Sequence, residues 1–266
     1  APLPRLAFRP VQLPASREAA DVVRFYLAEA TTRLVFVDGV HAPELSRVAE
    51  NCGVIVANLS AAAAMYATTI EPHLGRHAQF RNNVFTALNT AFLHDGALVV
   101  VPRDVSIAVP VHLLFIATQK DAASHPRCLV VAESGSAVTV IEDYVSLQDE
   151  SYFTNAVAEF ALADDARVNH IRVQRDSVRA FHMASCAVSL ARASRYQSVS
   201  VALGAQISRY DLTVLQVGEG VQCTIHGLAL LRGRQLPDTP TLTRPAPPQG
   251  RTSQTNQCTS GGAAHA

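Results

Sequence analysis

Tryptophan is missing from this chain and aromatic residues make up only 6% of it, so no stacking platform for sugar rings or bases stands out. Neither sign of charge prevails. Lys plus Arg equals Asp plus Glu at 22 each, which leaves no global field to draw the chain to nucleic acid or to an anionic membrane surface. Long apolar runs are also absent: the ones present are too short to span a bilayer, and the amino terminus lacks a charged-then-apolar leader. A cytoplasmic location is expected. Cysteine is scarce and irregularly spaced, five in 266 residues, which fits buried or free thiols in a reducing compartment better than a disulfide framework. Because the chain starts at Ala1, an upstream segment is expected to be missing.

Several chemical motifs are lacking too. There is no G-x-x-x-x-G-K-[ST] phosphate loop and no G-x-G-x-x-G after a strand; Gly218-Glu219-Gly220 reads as a turn, so the chain is not expected to hydrolyse ATP. Ser134-Gly135-Ser136 forms a polar corner without a nucleophile elbow. No Cys-x-x-Cys pair marks a zinc or iron–sulfur site. His182 and Cys186, four apart, fall on one face of a strand, whereas Cys223 and His226, three apart, fall on opposite faces. No metal ligand is assigned, and the cysteines read as buried structural residues. His170 and His182 read as hydrogen-bonded structural histidines, facing either the interior or a partner. Glu142 and Glu159 lie on different strands, so a paired-carboxylate hydrolase stays open as the alternative.

What is present is a succession of short apolar strands between Ala97 and Leu231 with hardly any helix signal. The candidates are 97–101, 111–117, 128–133, 137–145, 155–162 and 166–174, followed by CAVSLA, SVSVAL, DLTVLQV and CTIHGLALL. Val168, His170 and Arg172 alternate with Asn169, Ile171 and Val173, the period of two of a strand with one buried face. Such spacing suits a sandwich, a barrel or a coiled solenoid. Two-residue Asn-Gly and Asp-Gly hairpin turns are absent from this stretch, which favours the solenoid, a parallel β-helix with polar corners.

Before it, residues 1–15 read as an extended lead-in with four prolines. Ser16 reads as the N-cap of a helix running to Ala30, and Arg33 to Val40 as a strand meeting an Asp38-Gly39 turn, a small separate motif. A second helical patch surrounds Ser60 and ends near Gly75. The strongest helix spans Gln79 to Leu93, where Phe80, Val84, Leu88 and Ala91 form a stripe widened by Phe85 and Phe92. It is expected to lie across the first coil and cap its open edge.

At this helix a family resemblance begins. FTALNTAFLHDG (Phe85 to Gly96) with VVVPRDVSIAVPVHLLF, YFTNAVAEF (Tyr152 to Phe160), NHIRVQRDS with AFHMAS (Asn169 to Ser185), LGAQISRYDL (Leu203 to Leu212) and GEGVQCTIHGLALLRGRQ (Gly218 to Gln235) follow one order. Together with RLVFVDGVHAPELS (Arg33 to Ser46), they resemble the SufB/SufD family of iron–sulfur cluster assembly proteins, the SufD branch in particular. The resemblance implies a mainly β protein, a right-handed parallel β-helix with a small α/β lead-in: residues 1–78 as lead-in, 79–235 as capping helix and β-helix core, 236–266 as a poorly structured or incomplete end. Asn89, Gly96, Asn155, Gly204 and Gly227 are marked as structural positions, the three glycines at tight backbone sites.

The resemblance further implies a non-catalytic scaffold that pairs with a SufB-like subunit and works with a SufC-like ATPase. An iron–sulfur cluster then belongs to the complex, and none is expected to be held stably by this chain alone. The alternative is a β-helical carbohydrate-active enzyme. After Gln235 the sequence departs from the family pattern: Pro240 stands where a histidine is expected, and only QCTSGGAAHA still resembles it. The ATPase is implied to dock on a helical tail that the sequence does not reach, so its docking is expected to be weak. An uncovered edge near Gly227 to Gln235 is expected to seek a strand from a SufB-like protein or from a second copy, giving homodimers or aggregates when no partner is supplied.

Overall fold

The computed structural model describes residues 8–11, 19–49, 53–232, 235–245 and 251–261. The chain alternates between two sheets whose inner faces share one core. In spatial order the first sheet is β16 (Leu236–Asp238), β14 (Ile207–Gln216), β12 (Phe181–Leu190), β10 (Phe153–Leu162), β8 (Arg127–Ala132), β5 (Gly96–Val101) and β4 (Ile55–Asn58). The second is β18 (Arg251–Gly261), β15 (Gln222–Arg232), β13 (Arg195–Ala202), β11 (Arg167–Arg175), β9 (Ala137–Ser146), β6 (Val111–Ala117), β2 (Thr32–Val37) and β3 (Val40–His41). β1 (Arg9–Pro10), β7 (Ala122–Ser124) and β17 (Thr241–Pro245) flank the first sheet.

From β5 to β18 every described strand pairing is parallel. The protein is therefore the parallel β-helix that the absence of hairpin turns indicates. Its corners hold a repeat the sequence hides. Asp104, Gly135, Asp165, Ala193 and Gly220 all take positive φ, from 54° to 73°, and backbone bonds run up the stack from Asp104 N to Ser134 O, Gly135 N to Asp164 O, Asp165 N to Arg192 O and Ala193 N to Glu219 O. Asp and Gly tolerate this left-handed conformation and Ala does so at a cost, so chemistry at the corner repeats loosely while geometry repeats closely.

Register aligns inward side chains into columns. Val99, Val130, Phe160, Val188 and Val214 succeed one another from β5 to β14, each fully or nearly fully buried, and burial of such a side chain stabilises by about 1.5–3 kcal/mol. Both starting strands are finished by antiparallel neighbours: β3 returns along β2 through Asp38 and Gly39, both at positive φ, and β4 runs against β5. The hairpin expected to stand apart is thus part of the second sheet, since β2 pairs with β6 and buries Leu34 and Phe36 in the shared core.

Other expectations change. The first helix, α1, covers only Ala19–Val23, and Ser16 lies outside the described residues. The helical patch at Ser60 is α2 (Leu59–Met65) followed by α3 (Ala67–Ile70), with Gly75 at φ +72° beyond. The long helix is a 3-10 turn, Phe80–Asn82, then α4, Val84–Ala91, capped by Asn83 whose side chain accepts from Phe85 N and Thr86 N. Its buried residues are Thr86 and Asn89, while Phe80, Val84 and Phe92 are exposed. The apolar stripe was misleading because α4 is fixed by polar bonds to the outer face of β10, described below; it caps no coil end. Beyond Gln235, where poor structure is expected, β16, β17 and β18 add to both sheets. Parallel ladder bonds need only backbone, and the Thr-rich composition suits strands. No helix among the described residues is long and apolar enough to cross a membrane.

Candidate functional site

β11 offers two faces. Hydrophobicity alone would turn Ile171 and Val173 inward, yet the structure buries Val168, His170, Arg172 and Gln174 and leaves Ile171 and Val173 partly exposed. Partners on neighbouring coils make this possible, because a buried polar group is tolerated when it is hydrogen-bonded. His170 Nε2 lies 3.2 Å from Glu142 Oε1, and its Nδ1 shares a 2.7 Å hydrogen bond with the Tyr196 hydroxyl. Tyr144 donates to Glu142 Oε2 at 2.8 Å. Arg172 Nη2 donates to His182 Nε2 at 2.6 Å, and His182 Nδ1 sits 2.8 Å from Asp176 Oδ2. Tyr152 and Gln174 donate to the same carboxylate at 2.6 and 2.7 Å.

These contacts fix protonation. Since Arg172 donates to Nε2, His182 keeps its proton on Nδ1, facing Asp176, and is neutral; burial lowers its pKa despite the Asp176 charge. Burial opposes ionisation of Asp176, but its bonds from His182, Tyr152 and Gln174 hold its pKa below the usual carboxylate range. Burial likewise opposes ionisation of Glu142, and its bonds from His170 and Tyr144, with the nearby Arg172 charge, outweigh it. Burial pushes the Cys186 thiol up to about 12 and the Cys223 thiol up to about 11. Cys128 rises well above its ordinary value for the same reason. All three thiols are buried with raised pKa values, which disfavours the free thiolate that nucleophilic attack needs.

A second polar cluster lies outside the first sheet. Arg127 Nη2 and Nε reach Glu159 Oε1 at 2.5 and 3.1 Å, both side chains fully withdrawn from solvent. Glu159 also accepts from the backbone of Gly75, His77 and Ala78 at 2.8–3.0 Å. Arg127 Nη1 donates to Asn89 Oδ1, and Asn89 Nδ2 donates to the carbonyls of Pro126 and Asn155 at 2.9 and 2.8 Å. Asn155 Nδ2 returns to Phe85 O at 2.9 Å. The cluster ties α4 and the 75–78 segment to β8 and β10.

Glu142, His170, His182 and Cys186 thus share the interior, with Cys223 one coil further on. His226 is exposed on the opposite face of β15. Glu159 faces outward from the other sheet, so the two carboxylates of the hydrolase alternative do not form a pair. At Gly96 an added Cβ would lie 1.8 Å from Arg127 O, at Gly204 2.1 Å from Asp176 O, and at Gly227 2.7 Å from Asn256 Oδ1. Pro240 O accepts from Leu212 N, serving as backbone. Arg127, Asp176, Tyr144 and Tyr152 were not singled out from the sequence; the signal available was a charged or aromatic residue within or beside strands that otherwise read as apolar.

Fold and site together define a parallel β-solenoid protein whose interior carries a linked set of buried polar side chains. Among the described residues no group of three or more His, Cys, Asp or Glu is placed to hold a metal ion. The chain belongs to the SufBD family of the SUF system of FeS cluster assembly: its SufBD core domain matches residues 115–266 and the SufBD N-terminal region matches 18–113. The core match runs through the segment after Gln235 that was expected to depart from the pattern. An iron-sulfur cluster assembly SufBD family protein of Synechocystis is 36% identical over 255 residues, covering 91% of this chain and 56% of the relative. SufD of Escherichia coli is 28% identical over 216 residues, 79% of this chain and 48% of the relative. SufD of Bacillus subtilis is 28% identical over 128 residues, 47% of this chain and 29% of the relative. The chain therefore spans about half or less of the length of these relatives.

Proposed function

We propose that the chain is a non-catalytic, SufD-like scaffold of the cytoplasm that pairs with a SufB-like subunit and works with a SufC-like ATPase, so that an iron–sulfur cluster is built at the level of the complex. The observation that carries this reading is the parallel β-helix itself, two sheets of parallel ladders formed by residues that match the SufBD core domain, a fold whose long regular backbone ladders suit pairing with a second solenoid. The edge expected near Gly227 to Gln235 is covered, because β18 pairs with β15. Burial of Cys128, Cys186 and Cys223 away from any docking partner supports a role in which cluster ligands come largely from the partner, with Cys258 the exposed thiol among the described residues.

Co-expression tests the pairing: SufB-like and SufC-like proteins, each supplied separately with this chain, should give a stable complex with the SufB-like protein. Binding of the SufC-like protein alone would reverse the assignment. Anaerobic reconstitution of the isolated chain, followed by desalting, should leave little iron and sulfide; near-stoichiometric amounts of both would contradict the scaffold reading.

A further inference from the structure

One inward column of the second sheet shrinks toward the carboxyl end. Glu142, Arg172, Ser200, Gly227 and Asn256 stack in register from β9 to β18. The step from Arg through Ser to Gly leaves a cavity of about 250 Å³, with Tyr210 and Ser208 of the opposite sheet on its other side. Arg172 is 1% exposed. Among the described residues no carboxylate forms an ion pair with it: Nη2 meets the neutral His182, Nη1 reaches Ser200 Oγ only at 3.5 Å, and Nε has no partner. The Tyr144 and Tyr210 rings, centred 5.4 and 4.6 Å from its guanidinium carbon, lend partial compensation. The Tyr210 hydroxyl is also buried without a hydrogen-bond partner beyond its contact with the Cys186 thiol. Among the described residues no carboxylate lines the cavity; Glu142 is engaged by His170 and Tyr144, and Asp176 by His182, Tyr152 and Gln174.

A buried guanidinium without an ion pair is expensive to keep, and here its unpartnered Nε–H and the Ser200 and Ser208 hydroxyls face one space from two sheets, with Tyr210 on its wall. We propose that this cavity binds a small tetrahedral oxyanion of the phosphate or sulfate class. The ligand supplies a direct anionic partner, where Glu142 acts on Arg172 only through its nearby charge, and charge-assisted bonds from Arg172 Nε and Nη1 hold it. Donors arriving from several directions select an oxyanion over chloride. Gly227 makes the room: its inward position carries no side chain at the coil next to Ser200. The proposal rests on this interior geometry and not on the pairing with a SufB-like subunit.

Calorimetric titration of the full chain with inorganic phosphate at constant ionic strength tests it. Saturable binding is expected, displaced by sulfate and not by chloride. Gly227→Val, which fills the cavity and meets the Asn256 side chain first, and Arg172→Lys should each weaken binding by about tenfold or more while the far-ultraviolet spectrum stays native, a loss that corresponds to about 1.4 kcal/mol. The unsubstituted chain gives a second readout: phosphate should raise its melting temperature more than chloride at equal ionic strength. Non-saturable heats, or a melting temperature that follows ionic strength alone, would overturn the site. So would phosphate affinity unchanged in a folded Gly227→Val variant.

Discussion

Arg127 and Glu159 meet at 2.5 Å on the outer face of the first sheet with neither side chain reaching solvent. Glu159 holds three backbone N–H groups of the 75–78 segment in addition, and Arg127 holds Asn89 of α4. Removing one partner leaves a buried charge unpaired. Arg127→Met or Glu159→Gln should therefore lower stability by about 3–5 kcal/mol. The double variant should lose less than the sum of the two. Urea midpoints for the four proteins, with the slope checked for constancy, measure this coupling; additive losses would show that the two side chains act independently.

The left-handed corner column predicts a gain. Ala193, at φ +54°, stands where its neighbours in the stack are Asp165 and Gly220, and a Cβ in this conformation is strained. Ala193→Gly should stabilise the protein by about 0.5–1 kcal/mol, read as a higher melting temperature. Destabilisation would mean that the Ala193 methyl group packs usefully at the corner.

Thiol labelling should separate the cysteines sharply. Cys128, Cys186 and Cys223 are buried and Cys258 is exposed. With Cys52 replaced by Ser, the folded protein should react quickly at Cys258 alone, and the remaining three thiols should react only after denaturation. Fast reaction of Cys186 in the folded state would show that the interior opens readily, since burial and a pKa near 12 both disfavour its thiolate.

Stability should fall on the acid side. Burial lowers the pKa of His41, His73, His77, His125 and His182, so between their folded values and about 6.5 the unfolded chain binds more protons than the native one. Stability then rises with pH through that interval and is lost as pH drops below about 6.5. Glu142, Glu159 and Asp176 have depressed values in the folded state. Their contribution is present above the unfolded carboxylate range and is lost as pH falls through the folded values. Urea midpoints should be level between neutral and mildly alkaline pH and decline steadily below; a midpoint that rose from pH 7 to pH 5.5 would reverse the assignment of neutral buried histidines.

Strand spacing and missing hairpin turns act locally and left sandwich, barrel and solenoid open, with the family resemblance deciding for the β-helix; the Asp38-Gly39 turn announces itself through two residues that accept positive φ. The polar interior was not legible in the sequence. On β11 alternation gives the period but cannot say which set faces inward, and Ile171 and Val173 argue for the wrong face. The choice is made by Glu142, Tyr144 and His182 on neighbouring strands, whose partnership is invisible until register is known. The face of α4 was hidden for a similar reason, since Asn89 is held out of solvent by bonds to Pro126, Asn155 and Arg127. Corner chemistry varies among Asp, Gly and Ala, so no sequence repeat marks a corner that recurs in every coil.

Successive strands of the second sheet pair at a near-constant offset: 137 with 167, 167 with 195 and 195 with 222, steps of 30, 28 and 27 residues. A deletion or duplication of one whole step therefore preserves the facing of every remaining side chain, whereas a single residue inserted into β11 inverts all that follow it in the strand. Such an insertion ahead of His170 would turn Arg172 toward water and Ile171 and Val173 toward Glu142. In terms of tolerated variation, the molecule is forgiving of length changes at the scale of a coil and intolerant of them at the scale of a residue.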